Sequence, residues 1–284
     1  MIAAISGGSG FQGSSIKNML KEMGYEVVSL SRKDLYGNTE ALAGRLQGTE
    51  LLIHLAGAPI IGRWTKKYRR EIYDSRIVTT RNLVGALYLM TEKPRTFICA
   101  SAVGIYPNEG AWLEEDTVVA GNFLGEVCRD WEAEAGKAPA GVRVLNFRFG
   151  IVLGKNGGAL PKLMLPFRFF AGGRIASGKQ AVSWIHLNDV LAAFRFVIKH
   201  KELSGPVNLA APQTLTNAEF TKTLAKVMMR PAILPVPEFA LKMVFGEGAM
   251  VLTEGQEAIP KKLLDAGFNF EFPKLKEALE DLLK

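Results

Sequence analysis

The sequence predicts an α/β fold, a doubly wound parallel sheet (Rossmann-like) followed by a small C-terminal α+β subdomain. Two observations indicate this fold. Short apolar runs alternate with helical patterns, and a glycine cluster, GGSGFQG at 7–13, directly follows the first apolar run. Runs that are apolar on both faces are typical of parallel strands covered by helices on each side. With 284 residues, the chain is long enough for one large domain and a small appendage.

Periodicity predicts the elements in order. The apolar runs that we interpret as strands are Ile2–Ser6, Glu26–Leu30, Leu51–Ala56, Thr96–Ser101, Val142–Phe149 and Pro206–Leu209. The helical patterns are Ser14–Met23, Lys66–Met90, Gly125–Ala138, Asn188–Lys199 and Thr216–Met228. In the last of these helices, Glu219 stands three residues after Thr216, which is the spacing of a capping box.

The pattern changes at Gly154. Residues 154–186 are rich in glycine, proline and aromatic residues with weak periodicity, so we expect long loops and short helices over the ligand edge of the sheet. We therefore predict a nucleotide-binding domain at 1–230, with substrate-side loops from 154, and a small subdomain at 231–284.

Composition excludes several classes of protein. Hydrophobic residues make up 48% of the chain and charged residues 22%, a globular balance, and no apolar run approaches the roughly 18 residues that span a bilayer. The N-terminus lacks the basic region of a signal peptide. Two cysteines and three well-separated histidines predict neither disulfides nor a metal site, and a reducing cytoplasm is the expected location.

The net charge of +7 favours anionic partners such as phosphates and nucleotides. The basic residues are scattered and form no stripe with interleaved aromatic residues, so we expect no nucleic-acid partner. We predict a small-molecule substrate and no membrane partner.

The strongest chemical signal is the glycine cluster, because it opens the first helix directly after the first strand. Gly7 permits a tight turn, Gly10 lets backbone amides approach a pyrophosphate, and Gly13 allows close packing of the helix. The first turn of the helix then offers free N–H groups to the phosphates. The predicted contacts in this segment are Gly7, Ser9, Gly10, Phe11, Gln12 and Gly13.

The end of the second strand indicates which dinucleotide binds. An NAD site usually carries an acidic residue there, which holds the ribose 2′-hydroxyl, but this chain has Ser31 and Arg32. The planar, permanently charged guanidinium of Arg32 suits a 2′-phosphate, and Lys33 adds positive potential. We therefore predict NADP(H).

Two further segments complete the predicted cofactor site. Leu55, Ala56 and Gly57 stand where the third strand ends, and small residues there let the adenosine half lie against the backbone. Arg76 shares the inward face of the next helix, and a buried arginine requires an anionic or hydrogen-bonding partner, which a cofactor would supply. Glu71 either holds a ribose hydroxyl or pairs with a nearby arginine.

These residues resemble the short-chain dehydrogenase/reductase superfamily, in its extended, epimerase-like branch. The segments that carry the resemblance are SAVGIYP (101–107), RFGIVLG (148–154) and SWIHLND (183–189), together with EIYDSRIVTT, FLGEVCRDWE, GGALPKLMLPFRFFAGG and LTEGQEAIPKKLLDAGF. The fuller pattern is similar to atypical epimerase-family NADP-dependent oxidoreductases. The resemblance implies cofactor contacts at Arg32, Leu55, Ala56, Glu71, Arg76 and Val152.

The departures from the superfamily concern catalysis. Its Tyr-x-x-x-Lys pair, in which the lysine lowers the tyrosine pKa, is replaced here by Leu124 and Cys128, and the usual serine position is Ala102. The remaining candidates near the expected strand ends are Tyr106, Ser101, His186 and Cys128, each of which could equally be a packed structural residue. Ser101 is also a candidate cofactor contact.

We predict an atypical NADP(H)-binding oxidoreductase that acts on a small carbonyl or related compound. Two alternatives stay open: a nucleotide-sugar epimerase or dehydratase, and a non-catalytic NADP-binding regulatory protein, redox-sensing or related to cell division. By analogy with the superfamily, a homodimer through the helices Lys66–Met90 and Gly125–Ala138 is expected.

Overall fold

The computed structural model describes residues 1–114 and 118–284. The strands are β1 (Ile2–Ser6), β2 (Glu26–Leu30), β3 (Thr49–His54), β4 (Thr96–Ala102), β5 (Ala111–Trp112), β6 (Arg143–Phe149), β7 (Ile151–Gly154), β8 (Gly157–Gly158), β9 (Trp184–His186), β10 (Gly205–Leu209) and β11 (Glu257–Ala258). The α-helices are α1 (Phe11–Glu22), α2 (Arg32–Leu35), α3 (Thr39–Leu46), α4 (Lys66–Leu89), α5 (Phe123–Ala135), α6 (Leu160–Arg168), α7 (Leu187–Lys199), α8 (Asn217–Met228), α9 (Glu238–Phe245), α10 (Met250–Thr253), α11 (Lys261–Asp265) and α12 (Leu275–Leu283). Val103–Ile105 and Gly246–Ala249 form 3-10 turns.

Six parallel strands form the main sheet in the order β10-β6-β4-β3-β1-β2. The chain leaves β1 toward β2 on one side and continues through β3 on the other, so the winding reverses between β1 and β3. Ligands of open α/β sheets bind beyond the carboxyl ends of the strands at this reversal. The predicted fold class is confirmed, and the six predicted strands agree with these six to within two residues.

Helices cover both faces of the sheet. On one face, α1 and α7 pack against the strands through residues such as Ile16, Leu20 and Phe194. On the other face, α3, α4 and α5 bury Leu42, Leu83 and Trp131. This two-sided burial explains why the strands are almost wholly apolar.

The segment from 154 to 186 is more ordered than its weak periodicity indicates. β7 pairs with the short strands β8 and β9, and α6 packs near β8. β9 is only three residues long, so no alternation could reveal it. α6, α8 and α12 share a third core with Leu153 and Trp184. The predicted domain boundary at 230 stays a prediction.

In the described residues, no helix is long and apolar enough to cross a membrane. The same part of the chain contains no group of three metal-ligating side chains.

Candidate functional site

The glycine turn between β1 and α1 has the shape that its sequence predicts. Gly7 has a φ of 70°, and its amide oxygen accepts a hydrogen bond from the N–H of Gly10. A Cβ on Gly13 would lie 2.1 Å from the Gly7 oxygen, so only glycine allows the helix to approach the turn. A Cβ on Gly10 would meet only that oxygen, at 3.3 Å. The first turn of α1 therefore presents its backbone to open space.

The loop after β3 packs against this turn. A Cβ on Gly7 would lie 2.9 Å from the carbonyl carbon of Leu55 and 3.0 Å from the nitrogen of Ala56. The Ala56 N–H donates to the Ser6 hydroxyl, at 3.4 Å. The predicted segment Leu55–Gly57 therefore lies beside the glycine turn at the winding reversal, where a dinucleotide would bind.

Arg76 from α4 reaches the same loop. Its guanidinium donates to the carbonyl oxygens of Ile72 and Ala58, each at 3.0 Å, and to the Ser75 hydroxyl at 3.4 Å. Its Cζ atom lies 5.2 Å from the centroid of the Trp131 ring. A Cβ on Gly57 would lie 2.9 Å from that same Cζ atom, so the absence of a side chain at Gly57 lets the guanidinium lie this close to the loop.

Within the described parts of the chain, no carboxylate pairs with Arg76, and its hydrogen bonds all go to neutral acceptors. Burial lowers the pKa of Arg76, as expected for a cation without a carboxylate partner. Arginine nevertheless stays protonated in proteins. A cation held by neutral groups against the Leu55–Gly57 loop is suited to an anionic ligand.

Arg32 lies at the end of β2, as predicted, and is exposed. Its Nη1 atom is 3.7 Å from a carboxylate oxygen of Glu71, so Glu71 pairs with a nearby arginine. Ser31 is the N-cap of α2 and forms a capping box with Asp34. Its hydroxyl donates to the Asp34 carboxylate at 2.7 Å, and its predicted contact with the cofactor stays a prediction. These hydrogen bonds lower the pKa of Asp34.

His54, which the sequence analysis did not single out, is buried beneath the Leu55–Gly57 loop. Its Nδ1 atom lies 2.5 Å from the Ser6 hydroxyl and its Nε2 atom 3.2 Å from the Thr79 hydroxyl. Because the Thr79 hydroxyl donates to the Ser75 carbonyl, its oxygen is left to accept, which assigns the proton to Nε2. Burial first, and the charge of Arg76 second, lower the pKa of His54 to about 3. The imidazole is neutral at pH 7.

This burial predicts a loss of stability in mild acid. Unfolded His54 takes up a proton near pH 6.5, whereas the folded state resists protonation down to about pH 3. The stabilisation is therefore complete above pH 6.5 and is lost as the pH falls from 6.5 toward 3. Between pH 7 and pH 4.5, we expect wild-type protein to lose about 2 kcal/mol more free energy of unfolding than His54→Asn.

Urea denaturation at the two pH values measures this difference. His200→Asn is the matched control, because His200 is an exposed histidine that pairs with Glu202. An equal acid sensitivity of wild-type protein and His54→Asn would contradict the assignment.

Ser101, at the carboxyl end of β4, belongs to a buried polar network. Its hydroxyl donates to Glu132 at 2.6 Å, and Glu132 accepts two hydrogen bonds from Arg148, each at 2.8 Å. Arg148 interrupts an otherwise apolar strand, β6, which is the signal that could have revealed the pair. Because the Ser101 proton is directed at Glu132, the Ser101 oxygen is left as a hydrogen-bond acceptor.

Tyr106 and Cys128 are poorly suited to proton transfer. Tyr106 is fully buried, and its hydroxyl contacts Arg148 at 2.6 Å and Asn208 at 2.9 Å. Burial raises the pKa of Tyr106 despite the nearby Arg148. Burial also raises the pKa of the Cys128 thiol, to about 11. The structure therefore argues against both residues as acids or nucleophiles, and the interpretation of each as a packed residue is the better one.

His186 lies elsewhere. It caps α7 by accepting a hydrogen bond from the Asn188 N–H, and its Nε2 atom lies 3.3 Å from Asp281 of α12. It lines a cavity of about 570 Å³ on the flank of α1, with Ser9, Gly10 and Phe11 but without Arg32, Arg76 or Ser101. The structure thus does not bring His186 to the other candidate catalytic residues.

Val152 is another of the predicted cofactor contacts. It is buried in β7 within the core beneath α1 and α7. Its predicted contact with the cofactor stays a prediction.

The C-terminal part of the chain reaches the cofactor side of the fold. The Phe245 carbonyl accepts from the Trp64 N–H at 3.3 Å, and Glu247 pairs with Arg69 at 2.6 Å. The segment around α9 therefore closes on the loop before α4, between the predicted cofactor residues Gly57 and Glu71. This contact joins sequence positions about 180 residues apart, and sequence periodicity could not reveal it.

Residues 3–210 match the NAD dependent epimerase/dehydratase family. The chain belongs to this family. Residues 236–282 match a second description, a domain of unknown function called DUF1731. The resemblance seen in the sequence is confirmed, and so, at the level of the family, is a nicotinamide dinucleotide cofactor.

Relatives of this epimerase-family protein match it along its whole length. The epimerase family protein YfhF of Bacillus subtilis is 38% identical over 298 residues, covering 100% of this chain and 98% of the relative. The crystal structure of the human epimerase family protein SDR39U1 with NADPH has 32% identity and a TM-score of 0.92, covering 99% of each chain.

A more distant structure shares the fold alone. The UDP-glucuronic acid 4-epimerase of Bacillus cereus, solved with UDP-glucuronic acid and NAD, is 16% identical, with a TM-score of 0.79 and coverage of 99% of this chain and 97% of that one.

Proposed function

We propose that this epimerase-family protein binds NADP(H) between the glycine turn, the Leu55–Gly57 loop and Arg76, and acts as an oxidoreductase on a small carbonyl compound or the corresponding alcohol. The observation that carries the proposal is Arg76. Its partly buried charge has only neutral partners in the described structure and lies against the Leu55–Gly57 loop, which packs on the glycine turn. A dinucleotide phosphate or its neighbouring polar groups would complete this arrangement.

The preference for NADP(H) over NAD(H) rests on Arg32. No acidic side chain ends β2, and the Arg32 guanidinium is exposed and only loosely paired with Glu71. A 2′-phosphate would offer it a stronger, bidentate partner than this carboxylate at 3.7 Å. The human relative crystallised with NADPH supports the same choice.

The bound nicotinamide supplies or accepts the hydride. This chain's residues hold the cofactor and orient the substrate. Ser101 is buried and its proton is engaged by Glu132, so a substrate hydroxyl or amide N–H that reached it would meet an acceptor oxygen. Neither Leu124 nor the buried Cys128 can deliver a proton, so we assign proton exchange to water.

Replacement of Arg32 tests the cofactor assignment. We expect Arg32→Ala to weaken NADPH binding about 10- to 100-fold and to leave NADH binding within about twofold, because only NADPH carries the 2′-phosphate. Tryptophan fluorescence titration with each nucleotide measures both constants.

Lys21→Ala is the control for Arg32→Ala, since it removes the same charge at the far end of α1. Equal affinity of the wild-type protein for NADPH and NADH would overturn the role of Arg32. Failure to bind either nucleotide would overturn the proposed function.

A regulatory NADP-binding protein is the second candidate, and the specific observation in its favour is the loss of the Tyr and Lys positions to Leu124 and Cys128. Oxidation of NADPH with a panel of small aldehydes and ketones separates the two. Turnover supports the oxidoreductase, whereas tight NADPH binding without turnover of any substrate supports the regulator. An epimerase is less well supported, because it needs the absent tyrosine base. The cytoplasmic location and the homodimer stay predictions.

A further inference from the structure

Large apolar side chains are exposed together at the ends of α6 and α8 and in the segment that follows α8. The exposed fraction is 74% for Phe169, 58% for Phe170, 84% for Met229 and 74% for Ile233. Leu165 and Leu234 are also exposed. We call these six residues the apolar patch. Exposed apolar side chains scattered singly are ordinary, but a cluster of this kind indicates a surface that binds something.

Tertiary contacts hold the patch together. The Leu234 N–H donates to the Gly172 carbonyl at 3.2 Å, and a Cβ on Gly173 would overlap the Leu234 oxygen. The Arg230 guanidinium lies 4.9 Å from the centroid of the Phe170 ring. The segment after α8 is thus fastened alongside the end of α6, and the exposed side chains from both belong to one surface.

Two residues of the patch have an unusual backbone. Phe170 has a φ of 58° and Met229 a φ of 52°. Helices usually end in this left-handed conformation at glycine or asparagine, because a side chain is disfavoured there. Both helices therefore end on large, exposed apolar residues where small ones would be more stable, so folding stability alone does not account for these residues.

The surroundings of the patch are basic. Residues 135–188 contain eight Lys or Arg residues and no Asp or Glu. Six exposed basic residues lie on and around the patch-forming segments, and we call them the basic rim: Lys162, Arg168, Arg174, Lys179, Lys226 and Arg230. Among the residues that the structure describes, none of the six is in an ion pair. This contrasts with Arg45, Arg69, Arg81 and Arg195, which pair with carboxylates.

The occupant of such a surface must be both apolar and anionic. A second copy of this chain would bring two basic rims together, and their repulsion opposes that arrangement. A bilayer that contains anionic lipids offers both properties, since Phe and Met side chains enter the boundary between headgroups and acyl chains while Lys and Arg contact the headgroups. We propose that the apolar patch and its basic rim bind the surface of an anionic membrane.

This contact requires no spanning helix. The sequence-based expectation of no membrane partner rests on the absence of a long apolar run, whereas a peripheral contact inserts only the tips of side chains. The residues involved come from segments about 60 positions apart in the chain, so the surface exists only in the folded protein.

Vesicle co-sedimentation of the full chain tests the proposal. We expect the protein to sediment with vesicles that contain phosphatidylcholine and phosphatidylglycerol, but not with vesicles of phosphatidylcholine alone. Salt at about 0.5 M should release the protein, because it screens the attraction between the basic residues and the headgroups. Phe169→Ser/Met229→Ser is expected to weaken binding about tenfold, since two inserting side chains are lost. Arg168→Glu is expected to weaken it by a similar factor.

The controls are Leu89→Ser/Leu264→Ser, which alters two exposed apolar residues outside the patch, and Lys201→Glu, which makes the same charge change in a turn after α7. Both control variants should bind vesicles as the wild type does. All of the variants should bind NADPH with wild-type affinity, and this result would show that they are folded.

Three results would overturn the proposal: no binding to anionic vesicles, equal binding to neutral ones, or equal losses in the control variants. The proposal would also be overturned if Phe169→Ser/Met229→Ser bound vesicles as tightly as the wild type but had a raised KM for a substrate that the protein turns over. That result would assign the patch to substrate binding. The proposal does not depend on the oxidoreductase assignment.

Discussion

Arg148→Met is expected to destabilise the protein by about 3–5 kcal/mol, because it leaves the carboxylate of Glu132 buried without its cation. Both side chains of the pair are almost fully buried, and two hydrogen bonds of 2.8 Å join them. Burial alone lowers the pKa of Arg148, but the hydrogen bonds and the charge of Glu132 outweigh this effect and raise it. Urea denaturation at pH 7 measures the loss.

Two variants show that the effect comes from the unpaired buried charge. Arg81→Met removes an arginine that pairs with Glu134 at 2.7 Å but is itself largely exposed, and should cost about 1 kcal/mol or less. Glu132→Gln/Arg148→Met removes both charges and should recover about half or more of the loss. The interpretation would be wrong if Arg148→Met lowered the free energy of unfolding by no more than Arg81→Met does.

Gly13→Ala is expected to abolish nucleotide binding, with a loss of at least about 100-fold in NADPH affinity, and to destabilise the fold by about 2–3 kcal/mol. A Cβ at this position would lie 2.1 Å from the Gly7 oxygen and 2.8 Å from the Gly8 Cα atom. Both contacts are with backbone, so the turn itself must move, and the helix N–H groups leave the positions in which they face the phosphates. NADPH titration and thermal melting measure the two effects.

Variants at two other glycines distinguish an effect on stability from an effect on nucleotide binding. A Cβ on Gly44, within α3, would meet nothing within 4 Å, so Gly44→Ala should be neutral or stabilise the protein by up to about 1 kcal/mol and leave NADPH affinity unchanged. A Cβ on Gly10 would meet only one oxygen, at 3.3 Å, so Gly10→Ala should fold but bind NADPH at least about tenfold more weakly. Normal NADPH binding by Gly10→Ala would place the pyrophosphate elsewhere.

The parts of the site that could be predicted from the sequence are those that depend on neighbouring residues. The glycine turn is local, because Gly7 and Gly13 are six residues apart and each has a steric requirement that only glycine meets. Arg76 could be placed on an inward face because α4 is long enough for its periodicity to be read. The capping box of Thr216 and Glu219 is equally local and is present in α8.

The parts that were missed depend on which elements become neighbours. His54 is the last residue of an apolar strand and showed no pattern of its own. Its low pKa arises from burial first and from the charge of Arg76 second, and both depend on elements that pack around the strand. Tyr106 and His186 were reasonable candidates by residue type, but burial and capping contacts, which no sequence spacing encodes, occupy them.

The sequence by itself determined the fold class, the six strands, the glycine turn and the absence of the usual catalytic pair, since apolar periodicity, glycine sterics and residue identity are properties of short segments. Only the tertiary structure decided that Ser101 is an acceptor bound to Glu132, that Arg76 has no carboxylate partner among the described residues, and that exposed apolar residues of α6 and α8 meet within a basic rim. Those properties depend on distances between segments that are far apart in the chain, and such distances are set when helices pack on the sheet.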